Sequence, residues 1–168
     1  MAQPLAIITF IQHNHTMKKI AVIILLLVSI APNSFSQKKK MGKETITRIE
    51  MELFSRRGRT ELTITKDSAI SIGRTGKQFI LLTTKQWNSL VSSLKGVKLP
   101  GIALLVSPTK DREFDGAQHC KIAVSTKKKK YESQYFDEGK PMKKLQRLYD
   151  TIAAIRNEIN SNAKLLGQ

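Results

Sequence analysis

The sequence predicts an α+β domain: an antiparallel β-meander plus a β-hairpin in one sheet, with two helices packed on one face. Three observations carry that prediction. Apolar and polar residues alternate in short runs over residues 48–82, with turn residues between the runs. The apolar spacing then changes from two to three and four over residues 83–96, and again after Pro141. Between those two helical stretches lies a second pair of strand-like segments, so the order is strands, helix, hairpin, helix.

Order is expected to begin near Thr45. Ile49, Met51 and Leu53 alternate with Arg48, Glu50 and Glu52, the period of a half-buried strand. SRRGR turns the chain at Gly58, residues 60–65 repeat the alternation through Leu62 and Ile64, and KDS turns it again. Residues 69–72 are read as a strand with Ile70 and Ile72 inward, followed by a GRTGK turn and a more uniformly apolar strand over residues 78–82. Thr83 and Gln86 have capping-box spacing, and Trp87, Leu90, Val91 and Leu94 then fall on one helical face, with Gly96 as the stop. On that stripe Trp87 is a core residue rather than a binding platform.

Residues 99–116 lack a clear period and hold two prolines and two glycines. Long connections of this kind in a compact domain concentrate function or mobility. Residues 118–126 resume the strand pattern with Cys120, Ile122 and Val124 on one face, Lys127 to Lys130 cap a hairpin, and residues 131–136 return. Tyr131, Tyr135 and Phe136 do not share a parity, so the buried face of that last strand stays open. Residues 137–140 form a turn with Pro141 at the first helical position, where its missing N–H costs nothing. Leu145, Leu148, Tyr149, Ile152, Ile155 and Ile159 mark a long amphipathic helix. The domain is placed at residues 45–160, with a polar tail over 161–168.

Ahead of the domain, residues 17–36 read as a signal peptide. Lys18 and Lys19 precede an apolar run over residues 20–30, Pro32 breaks it, and Ser34 and Ser36 supply the small side chains that signal peptidase needs, placing cleavage after Ser36. The expected location is therefore secreted or periplasmic. No Cys lies near the cleavage site to take a lipid anchor. The eleven apolar residues would cover about 16 Å at ~1.5 Å each, roughly half of a ~30 Å hydrocarbon core, so no stable membrane span is expected after cleavage. A second apolar run at residues 5–11 is cut off from the first by Lys18 and Lys19, and burying both charges would cost about 2.5 kcal/mol or more each. Translation is accordingly read as starting at Met17, residues 1–16 as untranslated or a mis-assigned start, and His13 and His15 are set aside as ligands. Residues 37–44 form a basic lead-in expected to be disordered.

Cleavage after residue 36 of 168 leaves 132 residues, enough for one domain. Removing Lys18 and Lys19 from the 29 basic residues, against 13 acidic ones, leaves a net charge of +14. Such a charge on an exported chain favours polyanions, including lipopolysaccharide, acidic glycans and extracellular nucleic acid, or an acidic protein partner. The sole cysteine, Cys120, has no partner for an internal disulfide. As neighbours on a strand, His119 and Cys120 point to opposite faces, which argues against a thiol–imidazole pair and against zinc.

Other chemical motifs fail on spacing. Asp111, Glu113, Asp115 and Gly116 resemble the opening of an EF-hand loop, but its third position is Glu113 and its twelfth is Ile122, inside a strand. Between Gly73 and Gly76 stand two residues rather than the four of a phosphate loop. Asp111, Glu113, Asp115, Asp137 and Glu138 flank one hairpin and are the carboxylates that acid–base chemistry would have to use. A serine hydrolase would have to use His119, without a nucleophile-elbow pattern. Nucleic-acid readers interleave aromatics with their basic residues, and Lys127 to Lys130 form a tip rather than a groove.

The segments SPTKDREFDGAQHCKI and YESQYFDEGKPMKKLQRL resemble paired segments of a family of small exported bacterial α+β proteins. The element order over about residues 46–159 is also similar to that of emfourin, a protein inhibitor of thermolysin-like metalloproteases. That resemblance implies a non-enzymatic domain that binds a protein, with protease inhibition as one concrete form. It departs from the pattern in its export signal and in the SRRGR turn, where a Gly-rich turn is expected.

The reading is thus an exported, monomeric, cofactor-free domain that binds a protein of the cell envelope or exterior. The alternatives are a basic polyanion-binding protein and a carboxylate-dependent hydrolase. Contact residues are expected at Arg56, Arg57 and Arg59, on the long loop at Asp111, Arg112 and Asp115, and, for polyanions, at Lys127, Lys128, Lys129 and Lys130.

Overall fold

The computed structural model describes residues 44–165. The expected signal segment, the residues before it, the lead-in up to residue 43 and the last three residues lie outside that range. The described residues belong to one compact unit.

The chain is α+β, as its periodicities require. Four strands run as an antiparallel meander: β1 (Ile46–Ser55), β2 (Gly58–Ile64), β3 (Ser68–Gly73) and β4 (Gly76–Leu81). Helix α1 (Thr84–Ser93) follows, then 3₁₀ turns at Leu99–Leu104 and Asp111–Phe114. Strands β5 (His119–Thr126), β6 (Lys130–Glu132) and β7 (Phe136–Asp137) complete the sheet, and a 3₁₀ turn at Lys143–Leu145 leads into helix α2 (Gln146–Leu165). The sheet order is β4-β3-β2-β1-β5-β6, with β7 also paired to β5. The returning hairpin therefore docks on the free edge of β1, and the first strand of the meander becomes central.

Local chemistry explains most of these elements. Ile49, Met51 and Leu53 face a continuous core with Leu62 and Ile64, while Glu50 and Glu52 point the other way. The β1–β2 turn is a two-residue loop, Arg56–Arg57, closed by the pair Ser55↔Gly58, and Gly58 sits at φ 134°, a region that glycine enters without steric cost. Thr83 and Gln86 form the capping box of α1, whose Trp87, Leu90 and Leu94 are buried. Leu145 is buried at the end of the preceding 3₁₀ turn, and Leu148, Tyr149, Ile152, Ile155 and Ile159 are buried along α2, which packs on α1 and over β3 and β4.

Four expectations are corrected. Strand β3 faces the opposite way: Ala69 and Ser71 are buried, Ile70 is half-buried and Ile72 is 53% exposed. The reason is register. The tight turn in which Thr65 N–H donates to Ser68 O at 2.8 Å pairs Ile64 with Ala69 and Leu62 with Ser71, and directly paired residues share a face. The small side chains of Ala69 and Ser71 leave room for α2.

Second, residues 131–136 are not one strand. Between the pairs Ala123↔Glu132 and Cys120↔Phe136 the β5 side advances three residues and the returning chain four, a one-residue bulge. Ser133 fills the irregularity: Ile122 N–H donates to its Oγ at 3.1 Å, and its own N–H donates to Ile122 O at 2.9 Å. The extra residue switches parity, so Tyr131 and Phe136 are both buried. Third, Pro141 lies outside the helix. Met142 keeps an extended backbone (ψ 138°) that places its side chain in the core, and helical geometry starts at Lys143. Fourth, the segment expected as a tail from residue 161 is helical through Leu165, with Ala163 buried.

The β3 correction is directly measurable. In urea unfolding, Ile72→Ser is expected to change stability by about 0.5 kcal/mol or less. Leu62→Ala, on the adjacent strand's buried face, is expected to cost about 2–5 kcal/mol.

Candidate functional site

Residues 105–118 carry no strand, yet one buried carboxylate holds them. Asp137, on β7, has no exposed surface. Its Oδ2 accepts from Thr109 Oγ1 at 2.5 Å and Asp111 N–H at 2.8 Å, and its Oδ1 from Arg112 N–H at 3.0 Å and Arg112 Nη1 at 3.0 Å. Burial works to raise the Asp137 pKa. The hydrogen bonds from Thr109, the Arg112 backbone and guanidinium, and the Asp111 backbone overcome it and hold the carboxyl well below the usual carboxylate range. Arg112 Nη1 also donates to Thr109 O at 2.8 Å and Ser107 Oγ at 3.2 Å, so this guanidinium is an internal brace.

The brace is fixed to the body of the domain. Asp137 pairs with His119 across β7 and β5. On the turn that follows, Gly139 N–H donates to Tyr149 Oη of α2 at 2.9 Å, and Arg156 of α2 meets Glu138 at 2.6 Å. The loop's outer layer is ionic: Lys140 meets Asp111 at 2.7 Å, Arg112 Nη2 approaches Glu113 at 3.6 Å, and Asp115, in the left-handed conformation, meets Arg56 at 2.9 Å.

That last contact joins the loop to the β1–β2 turn and frames a cleft of about 860 Å³. Phe54, Arg56, Arg57, Arg112, Asp115 and His119 are among its lining residues. Phe54 is 48% exposed and Phe114, on the loop, 82%. Phe54, His119 and Tyr135 form an aromatic row, with ring centroids 5.8 and 5.9 Å apart and the second pair edge-on.

The structure thus brings together Arg56, Arg57, Arg112 and Asp115, while Asp111 lies behind them in the loop's ionic layer. Arg59 is not at the cleft. It points onto the open face of the sheet, 3.0 Å from both Glu52 and Glu61. Lys127, Lys128 and Lys129 follow Thr126, the far end of β5, which lies seven residues from His119, a span of about 24 Å at ~3.4 Å per residue. Lys130 belongs to the open face, 2.8 Å from Glu50 and 3.1 Å from Glu132.

The acidic run does not converge as a calcium loop would: Asp111, Glu113 and Asp115 each meet a different cation. Among the described residues no group of three His, Cys, Asp or Glu is arranged to hold a metal ion. Of the carboxylates flanking the hairpin, Asp137 alone is buried, and it serves the loop. Phe54 was legible as an apolar residue off the parity of Leu53. The roles of Thr109 and Tyr135 left no local signal.

Asp137→Asn removes the buried charge partner of the Arg112 guanidinium and leaves it only the longer contact to Glu113 at 3.6 Å, and is expected to cost about 3–5 kcal/mol at neutral pH. Because the folded pKa lies below the unfolded value of about 3.9, the Asp137 contribution is complete above that pH and is lost as pH falls toward the folded value. The gap between the two proteins in urea unfolding should therefore begin to narrow below about pH 4 and keep narrowing as the pH falls further. Cys120 has no exposed surface, and burial, then Glu138, raise its thiol pKa far above the ordinary range. A thiol reagent is expected to label Cys120 only at the rate of unfolding.

No family model, curated protein or solved structure matches the chain. The cleft is therefore interpreted from its own geometry.

Proposed function

We propose that the chain is an exported, non-enzymatic domain that binds a protein through the cleft between the β1–β2 turn and residues 105–118. The observation that carries this reading is that the cleft is built before any partner arrives. Asp137 and Arg112 order the loop from beneath, while the cleft presents Phe54, Arg56 and Arg57 outward. Aromatic and arginine side chains are the residue types that anchor protein interfaces, and a pre-ordered loop loses little entropy on docking. Arg112 is engaged internally and Asp111 is paired with Lys140 in the loop's outer ionic layer, which supports a contact surface rather than a reactive centre.

An inhibitor-like module is the concrete form we favour. Its similarity in element order to emfourin makes a thermolysin-like metalloprotease the first partner to assay.

The test is a pull-down from cell-envelope and culture-supernatant extract with the chain from Gln37 to Gln168, washed at low and high salt. A protein retained through the high-salt wash is then identified and titrated against the triple variant Phe54→Ser, Arg56→Ala, Arg57→Ala. The expected loss is at least about 30-fold in affinity, the weight of one hot-spot residue, with an unchanged melting temperature. Unchanged affinity would remove the cleft as the contact surface.

A further inference from the structure

An edge strand has backbone N–H and C=O groups that no neighbour shares, and the two edges of this sheet treat them differently. At one edge β6 is three residues long, Lys130 and Glu132 flank Tyr131, a bulge at Ser133 ends the regular pairing, and the 3₁₀ turn at Leu99–Leu104 packs beside it. At the other edge β4 pairs with β3 alone. Its six residues carry one charge, Lys77. Leu82 N–H donates to Asp67 O at 3.0 Å in register with the β3–β4 pairs, and bonded pairs alternate along an antiparallel ladder. Residues 76, 78 and 80 therefore bond to β3, while Lys77, Phe79 and Leu81 turn their N–H and C=O groups to the free edge.

The side chains along this edge are apolar where they meet water. Phe79, Leu81 and Leu165, the last residue of α2, are each at least 66% exposed. With Ile80, Glu158 and Asn162 they line a groove of about 440 Å³. Each of the three exposes roughly 100 Å² of apolar surface, so two copies bring together on the order of 600 Å². The paired strand edges and the Lys77 stems carry the total to about 1,000 Å², the lower end of what a specific interface buries.

We propose that β4 is the interface of a homodimer, pairing antiparallel with β4 of a second copy about a twofold axis through Phe79. A twofold axis perpendicular to the sheet keeps like faces together, so a residue must pair with one of its own parity. An axis through Gln78 would pair residues 76–80 and leave Leu81 out. The axis through Phe79 pairs residues 77–81, places the two Phe79 side chains together and sets each Lys77 opposite the copy's Leu81. The two Lys77 residues then stand four residues apart along the strands, about 14 Å, beyond the ~8 Å Debye length at physiological salt. The edge is thus self-complementary in backbone bonds, apolar contact and charge, and a second copy is the occupant it specifies in place of the monomer expected from the sequence. Because the paired strands run antiparallel, the two clefts open at opposite ends of the joined sheet. The inference does not depend on what the cleft binds.

Sedimentation equilibrium of the chain from Gln37 to Gln168 tests it. A monomer–dimer equilibrium with a Kd on the order of 10–100 µM is expected, since so small an interface lies at the weak end. Raising salt should leave it unchanged or tighten it, because the basic copies repel one another. Phe79→Lys, which puts two charges on the axis, should weaken dimerisation at least about 30-fold and leave the circular dichroism spectrum unchanged. Register is read by cysteine pairs. A mixture of Lys77→Cys and Leu81→Cys should form disulfide-linked dimers under mild oxidation, because a bonded antiparallel pair holds its Cα atoms about 5.5 Å apart. Either variant alone should not, its two cysteines lying about 14 Å apart.

A wild-type chain that stays monomeric to about 1 mM would overturn the proposal and leave the edge to a strand of another protein. Dimerisation of Phe79→Lys at wild-type strength would also overturn it. So would disulfide-linked dimers forming as readily from either single variant as from the mixture, which would exclude the axis through Phe79.

Discussion

A carboxylate withdrawn from water is tolerated only when its lone pairs are met, and Asp137 meets that condition with four donors from a single loop. The direction of dependence matters. Residues 105–118 have no ladder partners and few buried apolar side chains, so nothing else in their sequence defines a path. The carboxylate supplies it by collecting two consecutive backbone N–H groups, a hydroxyl and a guanidinium. Because β7 is paired to β5 and the following turn is tied to α2 through Tyr149 and Arg156, the loop inherits the rigidity of the core. The exposed Arg56–Asp115 pair adds little energy by itself, being open to water, but it sets the width of the cleft.

The uncovered face of the sheet shows how a two-layer domain can leave one side to solvent. On β2, β1, β5 and β6 it is a lattice of alternating charge. Glu52, at its centre, meets Arg59 at 3.0 Å, Lys121 at 3.4 Å and Tyr135 Oη at 2.9 Å. Burial works against the Glu52 charge, but the Tyr135 hydroxyl and the two cations outweigh it and lower its pKa. Glu50, Glu61 and Glu132 engage neighbouring cations in the same way. Four of the 13 acidic residues are thus spent neutralising this face. Toward the β4 edge the lattice gives way to Ile72, Phe79 and Leu81, all more than half exposed.

Whatever depends on near neighbours was legible in the residues. The two periodicities, the capping box of Thr83 and Gln86, the stop at Gly96, the glycine turn after Arg57 and the hairpin at Lys127 all follow from contacts within a few positions. The cleft was half legible: the arginine turn and the acidic loop were each visible as polar, unpatterned segments. That they face one another depends on β5 returning to the free edge of β1, more than sixty residues later, and no local pattern encodes that.

The sequence by itself determined the fold class, the inward faces of β1, β2, β5 and both helices, the basic balance and the isolation of Cys120 from its neighbour. Tertiary structure decided the inward face of β3, the parity switch between Tyr131 and Phe136, the helix start beyond Pro141, and the conversion of Asp137 from one acidic residue among five into the loop's anchor. The physical reason is common to all four. Side-chain direction in a strand is a binary property, so one residue of register or one bulge reverses it, and the energy that selects the register comes from long-range pairing and packing. A buried carboxylate likewise acquires its role from donors brought to it by the fold, which in this chain lie more than twenty residues away along the sequence.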